Sequence, residues 1–106
     1  MSEDLKGSLQ PVRAEIDDID AQLVELLNRR ARCAQRVGEI KAKHGEAGFI
    51  YRPEREAQVL RRLQSINPGP LSNESVTWFF REVMSACLSL ERPLAIAFLG
   101  PLGTFS

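Results

Sequence analysis

Near the N-terminus, apolar residues recur at alternating steps of three and four: Leu9, Val12, Ile16, Ile19, Leu23, Leu26, then Cys33, Val37 and Ile40. That spacing predicts one helix from about Leu9 to Lys43 with a single apolar seam. Ser8 is placed to cap it, and Pro11 falls in the first turn, where its missing N–H has no helical partner to lose. No breaker follows until Gly38, which a helix survives, and then Gly45 and Gly48, which end it. A helix of that length spans roughly 50 Å, whereas a compact domain of about 100 residues has a radius of gyration of about 13 Å. The seam therefore outruns any globule its own chain can build. A second copy of the same chain is the simplest cover, so the pattern predicts an intertwined homodimer.

The rest of the chain reads as two shorter helices. Pro53 suits the first position of a helix running to Ile66, with Arg52 just before it and an inward stripe of Val59, Leu60, Leu63 and Ile66. "NPGPL" interrupts. A third helix runs from about Asn73 to Leu90, capped by Ser72 or Asn73, with a stripe of Val76, Phe79, Phe80, Val83, Met84, Cys87 and Leu88, and Pro93 stops it. The expected fold class is all-α, three helices per chain. The tail "LAIAFLGPLGTFS" changes character. Leu94 to Leu99 reads as a buried strand before a glycine-bearing turn, as if a sheet-containing domain begins there. The expected organisation is a helical domain over 1–92 and the start of a second domain over 93–106.

Composition narrows the function classes. Fourteen Lys and Arg balance fourteen Asp and Glu among 106 residues, which argues against retention on nucleic acid by bulk charge. The start "MSEDLKGSLQ" lacks the basic and apolar regions of a secretory signal, and no apolar run is long enough to span a bilayer. Cys33 and Cys87 lie in apolar helical patterns without a CxxC, so they read as buried thiols in a reducing compartment, with a cytoplasmic location by default. Nothing in the chain has the spacing of a metal site, a phosphate loop or a Ser/His/Asp set, and His44, the sole histidine, reads as a surface loop residue. No cofactor and no metal are expected.

Several charged residues stand where the pattern calls for apolar ones. Arg30 interrupts the seam between Leu26 and Cys33. Lys41 follows eleven residues later, three turns with about 20° of drift, and so shares its face. Glu56 precedes Leu60 by four and Leu63 by seven, while Glu91 follows Cys87 by four and Met84 by seven, so both point inward. Arg55 lies at the margin of the Glu56 face. An isolated buried charge costs several kcal/mol unless paired, so these residues either form internal ion pairs, Arg30 or Lys41 with Glu56 or Glu91, or converge on one polar cavity within a helical bundle. A cavity richer in cations than in carboxylates suits a small dianion. Arg13 lies roughly 100° around the helix from Arg30; it is solvated, or it enters the pocket of a partner chain. The inventory suits a reaction that needs positioning and electrostatic stabilisation without a nucleophile.

From about Leu9 to Glu91 the chain resembles the all-helical chorismate mutase family, most specifically in "VRAEIDDIDAQLVELLNRRARCAQRVGEIK" and "YRPEREAQVL". The tail "AIAFLGPLGTFS" resembles the opening of a prephenate dehydratase domain. The whole is similar to the N-terminal part of the bifunctional chorismate mutase–prephenate dehydratases of phenylalanine biosynthesis. The resemblance implies a dimer with two equivalent sites that rearranges chorismate to prephenate without a cofactor. It implies that Arg30, and Arg13 of the partner subunit, hold the two carboxylates of chorismate. Lys41 would donate to the ether oxygen and a carboxylate, and Glu56 would accept from the ring hydroxyl with Arg55 orienting it. Glu91 would complete the grip on the ether oxygen where some members carry glutamine.

Two positions depart from the pattern. Arg52 stands where some relatives carry an acidic residue near the ring hydroxyl, and Cys87 where a serine can occur; both remain candidate substrate-binding positions. Two rival readings stay open. One is a relative of the same fold that eliminates pyruvate from isochorismate. The other is a non-catalytic helical dimerisation or regulatory module whose inward charges are ion pairs.

Overall fold

The computed structural model describes residues 2–45 and 52–91. The expected strand at 94–99, the second domain over 93–106, and Gly48 lie outside the described residues. Three α-helices account for nearly all of what is described: α1 (Ser2–Lys43), α2 (Pro53–Ile66) and α3 (Asn73–Leu88), followed by a 3-10 turn, Ser89–Glu91. The chain divides into two compact units, residues 1–30 and 31–106.

The first unit consists of α1 up to Arg30. Here the helix begins at Ser2 rather than at the expected Leu9, and Pro11 lies inside it. Glu3 and Asp4 occupy the first turn, where carboxylates complement the positive end of the helix dipole. Pro11 has no N–H to give to the carbonyl of Gly7, a local loss that the helix carries. Val12, Ile16, Ile19, Leu23 and Leu26 expose between 44% and 52% of their surface. The seam is thus laid out along one face, as its spacing requires, and the single chain leaves it half in water. A long apolar stripe left in water is the kind of surface through which chains associate.

The second unit contains the end of α1, α2, α3 and the 3-10 turn. Among the described residues its buried apolar side chains are Ala34, Leu60, Val83 and Cys87. The α1 cap forms as the sequence predicts. Gly45 takes φ +85°, its N–H donates to the Ala42 carbonyl at 3.2 Å, and the His44 N–H donates to the Ile40 and Lys41 carbonyls at 3.2 and 3.1 Å. A left-handed residue at this position suits glycine because it carries no Cβ.

The bounds of α2 match the expected ones, with Pro53 at its start. Arg52 precedes it in extended conformation, and its carbonyl accepts from the Arg55 and Glu56 N–H groups, both at 3.1 Å. Between α2 and α3 the side chain of Asn67 organises the turn. Its Nδ2 donates to the Leu71 carbonyl and to Asn73 Oδ1, both at 2.8 Å, while its Oδ1 accepts from the Gly69 N–H at 3.2 Å. Gln64 on α2 then reaches Thr77 on α3 at 2.8 Å.

Ser72, not Asn73, is the N-cap of α3, its Oγ accepting from the Ser75 N–H at 3.0 Å. Ser72→Ala removes that acceptor and should lower stability by about 1 kcal/mol. Urea unfolding at fixed protein concentration reads this as a shifted midpoint.

Three apolar expectations are corrected. Ile66 and Phe79 are exposed rather than inward, because α2 and α3 bury only the central strips of their apolar faces within one chain. Cys33 is exposed and Cys87 is buried, so the expectation of two buried thiols holds for Cys87 alone. Cys33 belongs to the same open seam as Val37 and Ile40, which are also exposed.

Candidate active site

The sequence places Lys41 in the last turn of α1 and Glu91 fifty positions later. The fold brings them together. Lys41 Nζ donates to Glu91 Oε1 at 2.8 Å, and the two side chains retain only 19% and 16% of their exposure. A charge-assisted contact of this length, sheltered from water, is considerably stronger than a surface ion pair. Glu91 was expected to continue the face of α3. Instead α3 ends at Leu88, and Glu91 closes the 3-10 turn. The tighter turn still carries it to the inner side, where it meets α1. Of the pairings left open by the sequence, Lys41 with Glu91 is the one that Lys41 and Glu91 form.

Close approach of the backbones makes this possible. Gly38, one turn before Lys41, is buried. A Cβ built on it would collide with the carbonyl oxygen of Glu91 and lie 2.7 Å from its carbonyl carbon and 2.9 Å from its Cα.

The remaining candidates divide between the units. In the second unit, Glu56 is half-buried in the first turn of α2 and Cys87 is buried in α3 one turn before Glu91. Arg55 is exposed, and its Nη1 donates to Gln58 Oε1 at 3.2 Å. Arg52 and Arg55 line an open surface groove of about 340 Å³ with Glu54, Gln58 and Arg61. Arg61 and Gln58 were not anticipated as neighbours of this groove. The three-residue steps 52, 55, 58, 61 along the start of α2 were the available signal. In the first unit, Arg30 is half-buried and Arg13 exposed, both on α1. Among the described residues no three His, Cys, Asp or Glu side chains gather as a metal ion would require, and no helix there is long and apolar enough to cross a membrane.

Chemically, the second unit offers an ammonium and a carboxyl fixed against each other and largely withdrawn from water. Lys41 has three N–H donors, of which the contact with Glu91 uses one.

Residues 12–92 match the family model described as Chorismate mutase type II. The chain is 55% identical over all 106 residues to a bifunctional chorismate mutase/prephenate dehydratase of Neisseria gonorrhoeae, and 52% identical over 104 residues to one of Pseudomonas aeruginosa. These cover 100% and 95% of the chain, which spans 28% of the length of each relative. Among solved structures it is similar to a chorismate mutase of Thermus thermophilus, with a TM-score of 0.74 and 33% identity, covering 79% of this chain and 93% of that one.

Proposed function

The chain belongs to the type II chorismate mutase family, and from that premise we propose that it converts chorismate to prephenate, as a homodimer, in the biosynthesis of phenylalanine. The observation that carries the reading in this chain is the Lys41–Glu91 pair, two residues fifty positions apart held at 2.8 Å and largely withdrawn from water. The exposed seam of α1 supports the dimer, since a second copy supplies a matching apolar face. The match to the Neisseria relative runs through the tail, which supports reading residues 93–106 as the opening of a dehydratase-like segment. A cytoplasmic location is part of the same proposal.

The reaction is an intramolecular rearrangement. In the substrate one C–O bond breaks as one C–C bond forms, and no atom or proton is exchanged with the protein. The reactive conformer is folded, with its two ends brought together. Arg30, and Arg13 of the partner subunit, would each hold one carboxylate, lowering the entropic part of the barrier. Negative charge grows on the ether oxygen as its bond stretches. Lys41 and Glu91 would donate to that oxygen, binding the transition state more tightly than the ground state. Glu56 would accept from the ring hydroxyl, with Arg55 orienting it, and Arg52 remains a candidate substrate-binding residue. Cys87 would lie under the pocket without a strong donor of its own.

The test is direct: purified protein is mixed with chorismate, without metal or cofactor, and the product identified by NMR. Prephenate is expected. Unconsumed chorismate, or pyruvate released from isochorismate in a parallel assay, would overturn the reading.

Glu91 makes the mechanism specific. A carboxylate cannot donate a hydrogen bond, and a carboxylic acid can. Glu91 is held by Lys41, and bound chorismate brings two carboxylates that compete for the same ammonium. Glu91→Gln keeps a hydrogen-bond donor at this position and should retain most of the turnover, whereas Glu91→Ala, which has none, should lose about two orders of magnitude in kcat. Parental turnover in Glu91→Ala would remove Glu91 from its role.

A further inference from the structure

Gly38 stands in the interior of α1, where glycine is a poor choice. Relative to alanine it costs about 1 kcal/mol in a helix, and its φ is not among the positive ones that require glycine, which among the described residues are those of Gly45 and Gly69. The reason lies across the fold. The position is buried, and the Glu91 backbone rests directly on it, so that a Cβ would collide with the carbonyl oxygen and lie 2.7 and 2.9 Å from the next two backbone atoms. These are main-chain atoms and have no rotamer by which to escape. Carbon atoms in ordinary contact lie about 3.5–4.0 Å apart, so any side chain at position 38 must push the Glu91 main chain away.

We propose that Gly38 is a positioning residue for the reaction: its missing side chain lets the end of the 3-10 turn settle on α1, and this seating sets the reach of Glu91 to Lys41 and to the ether oxygen. The inference rests on the reading of Lys41 and Glu91 given above. The geometry is short and direct. Gly38 and Lys41 are one turn apart on the same helix, and Glu91 touches the first through its backbone and the second through its side chain. One contact fixes the Cα of Glu91 and the other fixes its carboxyl. Lifting the Cα while Lys41 stays in place stretches the pair. A misplacement of about 1 Å at a reacting centre can cost on the order of 100-fold in rate.

The experiment is a double-mutant cycle on the full chain, with Gly38→Ala, Glu91→Ala and the two together, each checked for the oligomeric state of the parent. Gly38→Ala should lower kcat for chorismate by roughly 100-fold and change KM by less than about threefold, because carboxylate binding is left to other residues. In the Glu91→Ala background the same substitution should cost almost nothing further, since its effect passes through Glu91. A purely structural role would instead lower the two backgrounds alike. Unchanged kcat in Gly38→Ala, or additive losses, overturns the proposal.

If Gly38→Ala does not fold, Glu91→Asp replaces it: this variant withdraws the carboxyl by one methylene while leaving the Gly38 contact intact. It should show the same kcat-weighted loss, and wild-type turnover in it would overturn the proposal. Should the parent protein prove inert towards chorismate, the reading of function fails by itself. A crystal structure of Gly38→Ala then decides the positioning claim. A Lys41–Glu91 separation beyond hydrogen-bond reach supports it, and one kept at 2.8 Å refutes it.

Discussion

Arg30→Ala should lower kcat/KM for chorismate by about three orders of magnitude and leave the oligomeric state of the parent unchanged. Arg30 replaces a residue that the seam of α1 would otherwise make apolar, and in the structure it is half-buried. A guanidinium at such a place can hold a carboxylate through two parallel N–H donors. Truncating one partner of a sheltered, hydrogen-bonded charge pair costs roughly 2–5 kcal/mol, and each 1.4 kcal/mol is about tenfold in rate. Loss of both ground-state grip and conformer selection should raise KM and lower kcat together. The same variant separates the catalyst from a non-catalytic helical module. In a module, Arg30 would be a stabilising ion-pair partner, and its removal would weaken folding or association without touching any turnover. Steady-state kinetics with analytical ultracentrifugation on the same preparation distinguishes the two results.

Mixing two inactive variants should restore activity. If Arg13 works in the pocket of the opposite chain while Arg30 works in its own, Arg13→Ala and Arg30→Ala homodimers are both crippled. A mixed dimer has one site with neither defect and one with both. Random exchange of equal amounts makes about half of the dimers mixed, and each carries one intact site of two, so about one quarter of parental activity should return. Recovery should require time or mild denaturant for exchange if, as proposed, the subunits join along the apolar face of α1. No recovery after demonstrated exchange would place Arg13 and Arg30 in the same chain's site, or would remove Arg13 from the site altogether. The mixing experiment thus tests dimer architecture and active-site sharing in one measurement, without relying on the stability of either variant alone.

The helices were legible where their signals are local. Pro53 opens α2, Gly45 closes α1 and Ser72 caps α3, each through the backbone preferences of one or two residues. The start of α1 was misplaced because Pro11 reads as a first-turn proline. The segment before it, with Glu3 and Asp4 suited to a helix N-terminus, continues the helix outward to Ser2. Inward apolar residues were over-counted at Ile66, Phe79 and Cys33. Periodicity identifies the face a residue lies on, but not whether its own chain or another one covers that face.

What the sequence by itself determined is the set of helices, the apolar seam that one chain leaves half in water, and the charged residues standing against that pattern. These follow from interactions within a few residues, which spacing and residue type encode directly. Only the tertiary structure decided which opposite charges meet, because Lys41 and Glu91 become neighbours only when the chain after α3 returns to the end of α1. Only there, too, does Gly38 acquire a reason: its value lies in the atoms of Glu91 seated on it, fifty-three residues further along, and no local preference records so distant a contact.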